Sequence, residues 1–220
     1  IGRALHFAPG DLQWVVTAYV LFTGSLLLLG GRASDAFGRR RMFLSGLMVF
    51  TAASLAAALA PSADALIVAR GAQGLGAALL SPAALSIITT TYTGRQRAVA
   101  LSVWGAIGGA GAAAGVLLGG MLTTWLSWEW IFLVNVPIGA IAAIGALHVV
   151  PAAAPGGTRS RLDLPGALSL TAGLVVLVLA VEGSADHGWG SLRTIGSLAA
   201  AAALLALFAL VERRAAEPLV

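Results

Sequence analysis

The sequence predicts an all-α polytopic membrane protein, and three observations carry that fold class. Of the 220 residues, 59% are hydrophobic and 10% charged, against about 25% charged in an ordinary soluble domain; the mean hydropathy is +0.93. Apolar stretches recur along the chain, each near the roughly 20 residues a helix needs to cross a hydrocarbon core of about 30 Å. Arginines gather in every second connection between those stretches.

The spans are expected at roughly 13–31, 42–60, 65–91, 98–125, 130–150, 164–182 and 195–211. The first, "LQWVVTAYVLFTGSLLLLGG", places Gln13, Trp14, Thr17 and Tyr19 near one end, with Trp14 read as an interface residue and Tyr19 as either interface or cavity lining. The second follows the charged turn "GRASDAFGRRRM", and the third carries Arg70 inside an apolar run. The fourth is glycine-rich, and the fifth follows the tryptophans of "WLSWEW" and contains Asn135 and Pro137. Those two residues predict a kink with a polar group turned inward. A connector rich in Pro, Gly and charge, 151–163, separates the last two spans from the rest. The domain boundaries are therefore 1–150, 151–163 and 164–220.

Orientation follows from the arginines, because Lys and Arg are retained on the cytoplasmic side of short loops. Arg32, Arg39, Arg40, Arg41, Arg95, Arg97, Arg159, Arg161, Arg213 and Arg214 fall in alternate connections, and the others hold Asp64, Glu129, Glu182, Asp186 and Arg193. Residue 1 is then outside and the last span ends in the cytoplasm, as in a multi-pass protein of the plasma membrane. Glu182, beside "GSADHGWGS", reads as an exposed acid of an outer loop. A start at Ile1, without the basic-then-apolar order of a signal peptide, reads as a fragment missing at least one earlier helix. The stretch "ERRAAEPLV" reads as a lead into a further span.

Composition also excludes function classes. There is no cysteine for a disulfide, thiolate site or nucleophile, and His6, His148 and His187 are scattered, so no metal or other cofactor is expected. The pI of about 11.0 reflects a few arginines on a nearly uncharged chain, not the clustered basic face of a nucleic-acid binder. No convergent nucleophile or acid–base set appears, so an enzyme is not expected.

Several constellations remain. In the charged turn the spacing is Gly31-x3-Asp35-x2-Gly38-Arg39-Arg40-Arg41. Topology alone accounts for basic residues here; Gly38 in a tight turn and Asp35 within reach of an arginine suggest a cluster that locks or releases neighbouring helices. The second is "ARGAQGLGAALLSPA". An arginine near the bilayer centre costs about 2.5 to 3.5 kcal/mol on insertion scales and tends to face a bundle interior. Arg70 is six residues beyond Asp64, so snorkelling to the interface is the other open reading. Gln73 lies one turn away on the same face. In the third, "GAIGGAGAAAGVLLGG", Gly111, Gly115 and Gly119 recur every fourth residue, a stripe on which another helix can pack closely.

These motifs together resemble the major facilitator superfamily. Gly31, Asp35, Gly38, Arg39 and Arg40 match its loop between helices 2 and 3, with Ala36 where a basic residue is usual. Arg70, Gln73, Gly74 and Gly76 match its helix-4 pattern Arg-x2-Gln-Gly-x-Gly. Gly115, Gly119 and Gly120 match the antiporter pattern of helix 5, with Val116 in place of proline. "WEWIFLVNVPIG" is similar to the 14-helix drug:proton antiporter branch, the EmrB/QacA-type multidrug exporters, with Glu129 where arginine is usual.

The resemblance implies helices 2 to 6 of the N-terminal bundle plus two linker helices, without helix 1 and the C-terminal bundle. It implies proton-coupled efflux of small lipophilic or cationic compounds by alternating access. Gly31, Asp35, Gly38, Arg39 and Arg40 would form a conformational gate, and Arg70 and Gln73 would serve proton coupling. Gly74, Gly76, Gly111, Gly115, Gly119 and Gly120 would serve packing and rocking, with Tyr19 and Asn135 as candidate cavity lining. The implied partners are a small-molecule substrate, protons, the lipid bilayer and the C-terminal bundle. A specific metabolite exporter or symporter, and a non-transporting remnant, are the other readings.

Overall fold

A computed structural model describes residues 1–2, 4–8, 10–151 and 164–214. The connector at 151–163, apart from Pro151, lies outside the described residues and contains Arg159 and Arg161; the side chains of Asp186, Arg213 and Arg214 are likewise not described. Among the described residues the regular structure is helical: a short 3-10 turn, Asp11–Gln13, leads into α1 (Trp14–Phe37), α2 (Arg39–Ala58), α3 (Ala63–Thr91), α4 (Gly94–Trp125), α5 (Trp130–Leu133), α6 (Asn135–Val149), α7 (Leu164–His187) and α8 (Leu192–Arg214). Six helical segments are long and apolar enough to cross a membrane, α5 and α6 together forming one of them. Seven were expected; the remaining helix, α7, holds a shorter apolar segment, Leu168–Ser184. The chain is a multi-pass membrane protein.

Each boundary has a local cause. Gly38 separates α1 from α2 at φ +95°, ψ 133°, a backbone conformation that costs a residue with a Cβ far more than glycine. Ser62 caps α3, its Oγ accepting from Ala65 N at 3.3 Å. Pro137 has no N–H to offer Leu133, and the span is interrupted at Val134 between α5 and α6.

The bundle is organised around α3, which packs along both α1 and α2; α6 rests on α2, α7 on α1, and α7 pairs with α8. The closest approaches use glycines. A Cβ on Gly30 would lie 2.0 Å from the Ala78 carbonyl oxygen, the group whose helical donor is missing because Pro82 stands four residues on. Gly46 and Gly76 face each other's helices, with a Cβ on either falling inside 3.0 Å of opposing backbone. Toward the Trp128 end, Val15, Ala57, Leu66, Ala69 and Phe132 form a buried cluster, and Trp128 meets Phe132 edge-on at 6.3 Å.

The glycine stripe of α4 behaves differently. Gly111, Gly115, Gly119 and Gly120 have nothing within 4 Å of where a Cβ would stand, and α4 has no buried residue. The expected close packing on this stripe is not made among the described residues, because α4 touches its sequence neighbours α3 and α5 and leaves its face open. It is also one unbroken helix of 32 residues through Val116.

Candidate functional site

The polar centre of the bundle is built on Arg70. It lies four positions after Leu66, which is fully buried in the core, and Ala69 beside it is also buried, so the side chain leaves α3 between helices. Arg70 Nε donates to the Val15 carbonyl of α1 at 2.6 Å, and Nη1 donates to Gln73 Oε1 at 2.8 Å. The guanidinium lies over the Tyr19 ring, 4.4 Å from its centroid, and 5.9 Å from that of Phe132. Both separations are within reach of cation–π attraction. Snorkelling does not describe this arrangement: the head group is held inside the bundle, against a carbonyl, an amide and two rings.

Gln73 carries the contact onward. It is 1% exposed, and its Nε2 donates to Ser54 Oγ at 2.5 Å; Ser54, fully buried, donates to the Phe50 carbonyl at 2.9 Å. A continuous line of hydrogen bonds thus runs from α1 through α3 into α2. The polar atoms of this line partner one another, as buried polar groups must to avoid a desolvation cost. The charge itself is different: among the described residues no carboxylate pairs with Arg70.

Gly74 lets α1 come close beside this line. A Cβ there would lie 2.6 Å from Tyr19 O, and Thr23 Oγ1 donates to Tyr19 O at 2.7 Å and to Gly74 O at 3.3 Å. Tyr19, expected as cavity lining or interface, is therefore the floor under Arg70. Asn135, expected as cavity lining, is half-buried at the start of α6, and its Nδ2 donates back to the Ile131 carbonyl of α5 at 3.4 Å. Ser54 was not singled out by sequence. Its signal is weak, a small hydroxyl in the alanine-rich "TAASLAAA".

The charged turn occupies the other end of the bundle. Gly31 sits 3.9 Å from Pro82 by the same Cβ measure, an ordinary contact. Arg40 Nη2 donates to the Leu147 carbonyl of α6 at 2.9 Å, placing a cation at a helix C-terminus, where the dipole favours it. Asp35 is exposed and makes no hydrogen bond or ion pair among the described residues. The expected pairing of Asp35 with an arginine of the turn, Arg39 included, is thus not formed, because Asp35 sits on the outward face of the last turn of α1. Arg40 reaches α6 instead.

Glu182 also departs from expectation. It lies within α7, half-buried, and accepts from Thr17 Oγ1 of α1 at 3.2 Å; its Oε2 is buried without a hydrogen-bond partner among the described residues. The loop reading failed because the helix continues to His187, past the acid.

Comparison with known proteins agrees with this architecture. The profile of the Major Facilitator Superfamily matches residues 1–213. Similar proteins include the cephamycin export protein CmcT of Amycolatopsis lactamdurans, 48% identical over 98% of this chain and 45% of its own. The puromycin resistance protein pur8 of Streptomyces alboniger is 45% identical over 100% of this chain and 43% of its own. The multidrug transporter protein MdtP of Bacillus subtilis is 34% identical over 100% and 42%. The chain spans less than half the length of these curated relatives. With the helical bundle, its spans and this match in hand, the chain belongs to the Major Facilitator Superfamily.

Proposed function

We propose that these residues form the N-terminal part of a secondary transporter that exports small lipophilic or cationic compounds, coupled to proton entry by alternating access. The observation that carries this reading is the Arg70 guanidinium, held between helices by neutral groups among the described residues. A half-buried cation with no carboxylate partner among the described residues is poised to bias the protonation of any carboxylate brought near it. Export is supported by the relatives whose names describe export of, or resistance to, antibiotics. The arginine-rich ends would face the cytoplasm, with Asp35 and Arg39 free to engage the remainder of the transporter as a gate. A specific metabolite exporter or symporter is the second reading; Val116, inside an unbroken α4, favours it.

Inside-out vesicles containing the protein at its natural length test the coupling. Uphill accumulation of a fluorescent lipophilic cation is expected on acidifying the lumen, and collapse on adding a protonophore. Accumulation that survives the protonophore would overturn the proton-coupled reading. On the same reading the open stripe of α4 faces the other half of the transporter. Gly115→Leu is then expected to abolish accumulation while leaving thermal unfolding of the bundle unchanged, since nothing described lies within 4 Å of that position. Wild-type accumulation in that variant would show that the stripe faces lipid.

A further inference from the structure

Between α2 and α6 runs a groove of about 290 Å³, with Met48, Ala52 and Leu55 on one wall and Gly139, Ala140 and Ala143 on the other. Its floor is a close approach: a Cβ on Gly139 would strike Thr51 Oγ1, so the two helices touch there and diverge outward. Small alanines keep the groove open, and Met48 is 65% exposed. The groove lies within two spanning segments, at the depth of the hydrocarbon region. A shallow, apolar groove of this volume offers a hydrocarbon chain contact along both helices and offers a polar occupant no hydrogen-bond partner.

The groove also has a charged end. Arg41, Met48 and Leu55 are spaced by seven residues and so share one face of α2. Arg41 is exposed and lies about 10 Å along the helix from Met48, and about 21 Å from Leu55, at 1.5 Å per residue. That length matches one leaflet, half of a core of about 30 Å, plus its headgroup layer. Arg40 beside it is engaged with the Leu147 carbonyl, which pins the end of α6 next to Arg41 and leaves Arg41 without a carboxylate among the described residues.

We infer that this groove is a binding site for an anionic phospholipid, one acyl chain lying between α2 and α6 and the phosphate on Arg41. The apolar lining supplies affinity for the chain, and the arginine supplies selectivity for negative headgroups, an effect of about fivefold per basic residue at a membrane surface. The site is independent of what the transporter carries.

Native mass spectrometry of the natural-length protein, released from detergent with phosphatidylglycerol or phosphatidylcholine of identical chains, tests it. The wild type is expected to retain phosphatidylglycerol about fivefold better. Arg41→Gln is expected to bring the two lipids near parity, while Arg95→Gln, at the exposed start of α4, leaves the preference intact. Ala140→Phe, or Ala52→Leu should the first fail to fold, is expected to lower retention of both lipids. An unchanged preference in Arg41→Gln, an equal loss in Arg95→Gln, or full retention in both groove-filling variants would each overturn the site.

Discussion

Arg70→Ala is expected to reduce uphill export by roughly a hundredfold while the protein still inserts and folds. The functional magnitude follows from the charge removed: a cation beside a carboxylate moves its pKa by about 1 to 3 units, a factor of about ten in proton affinity per unit. The structural magnitude is smaller. Hydrogen bonds between membrane helices average about 0.6 kcal/mol in double-mutant measurements, and removing a half-buried cation with no carboxylate partner among the described residues relieves part of its desolvation. Thermal unfolding in detergent should therefore shift little. Arg70→Lys separates charge from geometry, because an ammonium cannot hold Val15 O and Gln73 Oε1 in the same fork while stacking on Tyr19. Export by the lysine variant should be intermediate. Unchanged export in Arg70→Ala would remove Arg70 from the coupling machinery and leave it as a packing residue.

Gly76→Val is expected to destroy the bundle itself. A Cβ at that position would lie 2.6 Å from Phe50 N, 2.8 Å from Phe50 Cα and 2.9 Å from Gly46 O. All three are backbone atoms of α2, which cannot rotate aside as a side chain can. The helices must separate, and Ser54, one turn beyond Phe50, would be drawn away from Gln73. Overpacking of this kind costs about 3 kcal/mol, a large part of the stability of any folded chain. Loss of monodisperse protein after detergent extraction is the measurement. Gly111→Val provides the contrast, since that position meets nothing within 4 Å; extraction should match wild type. Equal behaviour of the two variants would show that α2 and α3 pack less closely than described.

The two glycine groups show what could be read from sequence and what could not. "GAQGLGAALL" and "GAIGGAGAAAG" have similar small-residue periodicity, and both read as packing surfaces. In the structure Gly74 and Gly76 lie against backbone of α1 and α2, while the α4 stripe lies open. Nothing local distinguishes them. A span is apolar all round, so hydrophobic periodicity, which marks the inner face of a helix in a soluble protein, is nearly silent here, and lipid tails are as apolar as a helix neighbour. The same silence hid Ser54 and the burial of Glu182.

By itself the sequence determined six of the seven expected spanning segments and most of their boundaries, because transfer of apolar residues into hydrocarbon, the turn at Gly38 with its positive φ and the proline break before Asn135 are local properties. It also singled out Arg70, since a cation in an apolar run stands out in one dimension. Only the tertiary structure decided its partners. Val15, Tyr19, Gln73 and Ser54 come from three helices, and Arg40 meets Leu147 across a sequence separation of 107 residues. Such pairings depend on which helix faces approach, and in a chain whose faces are all apolar that choice is made by close packing between glycine and backbone.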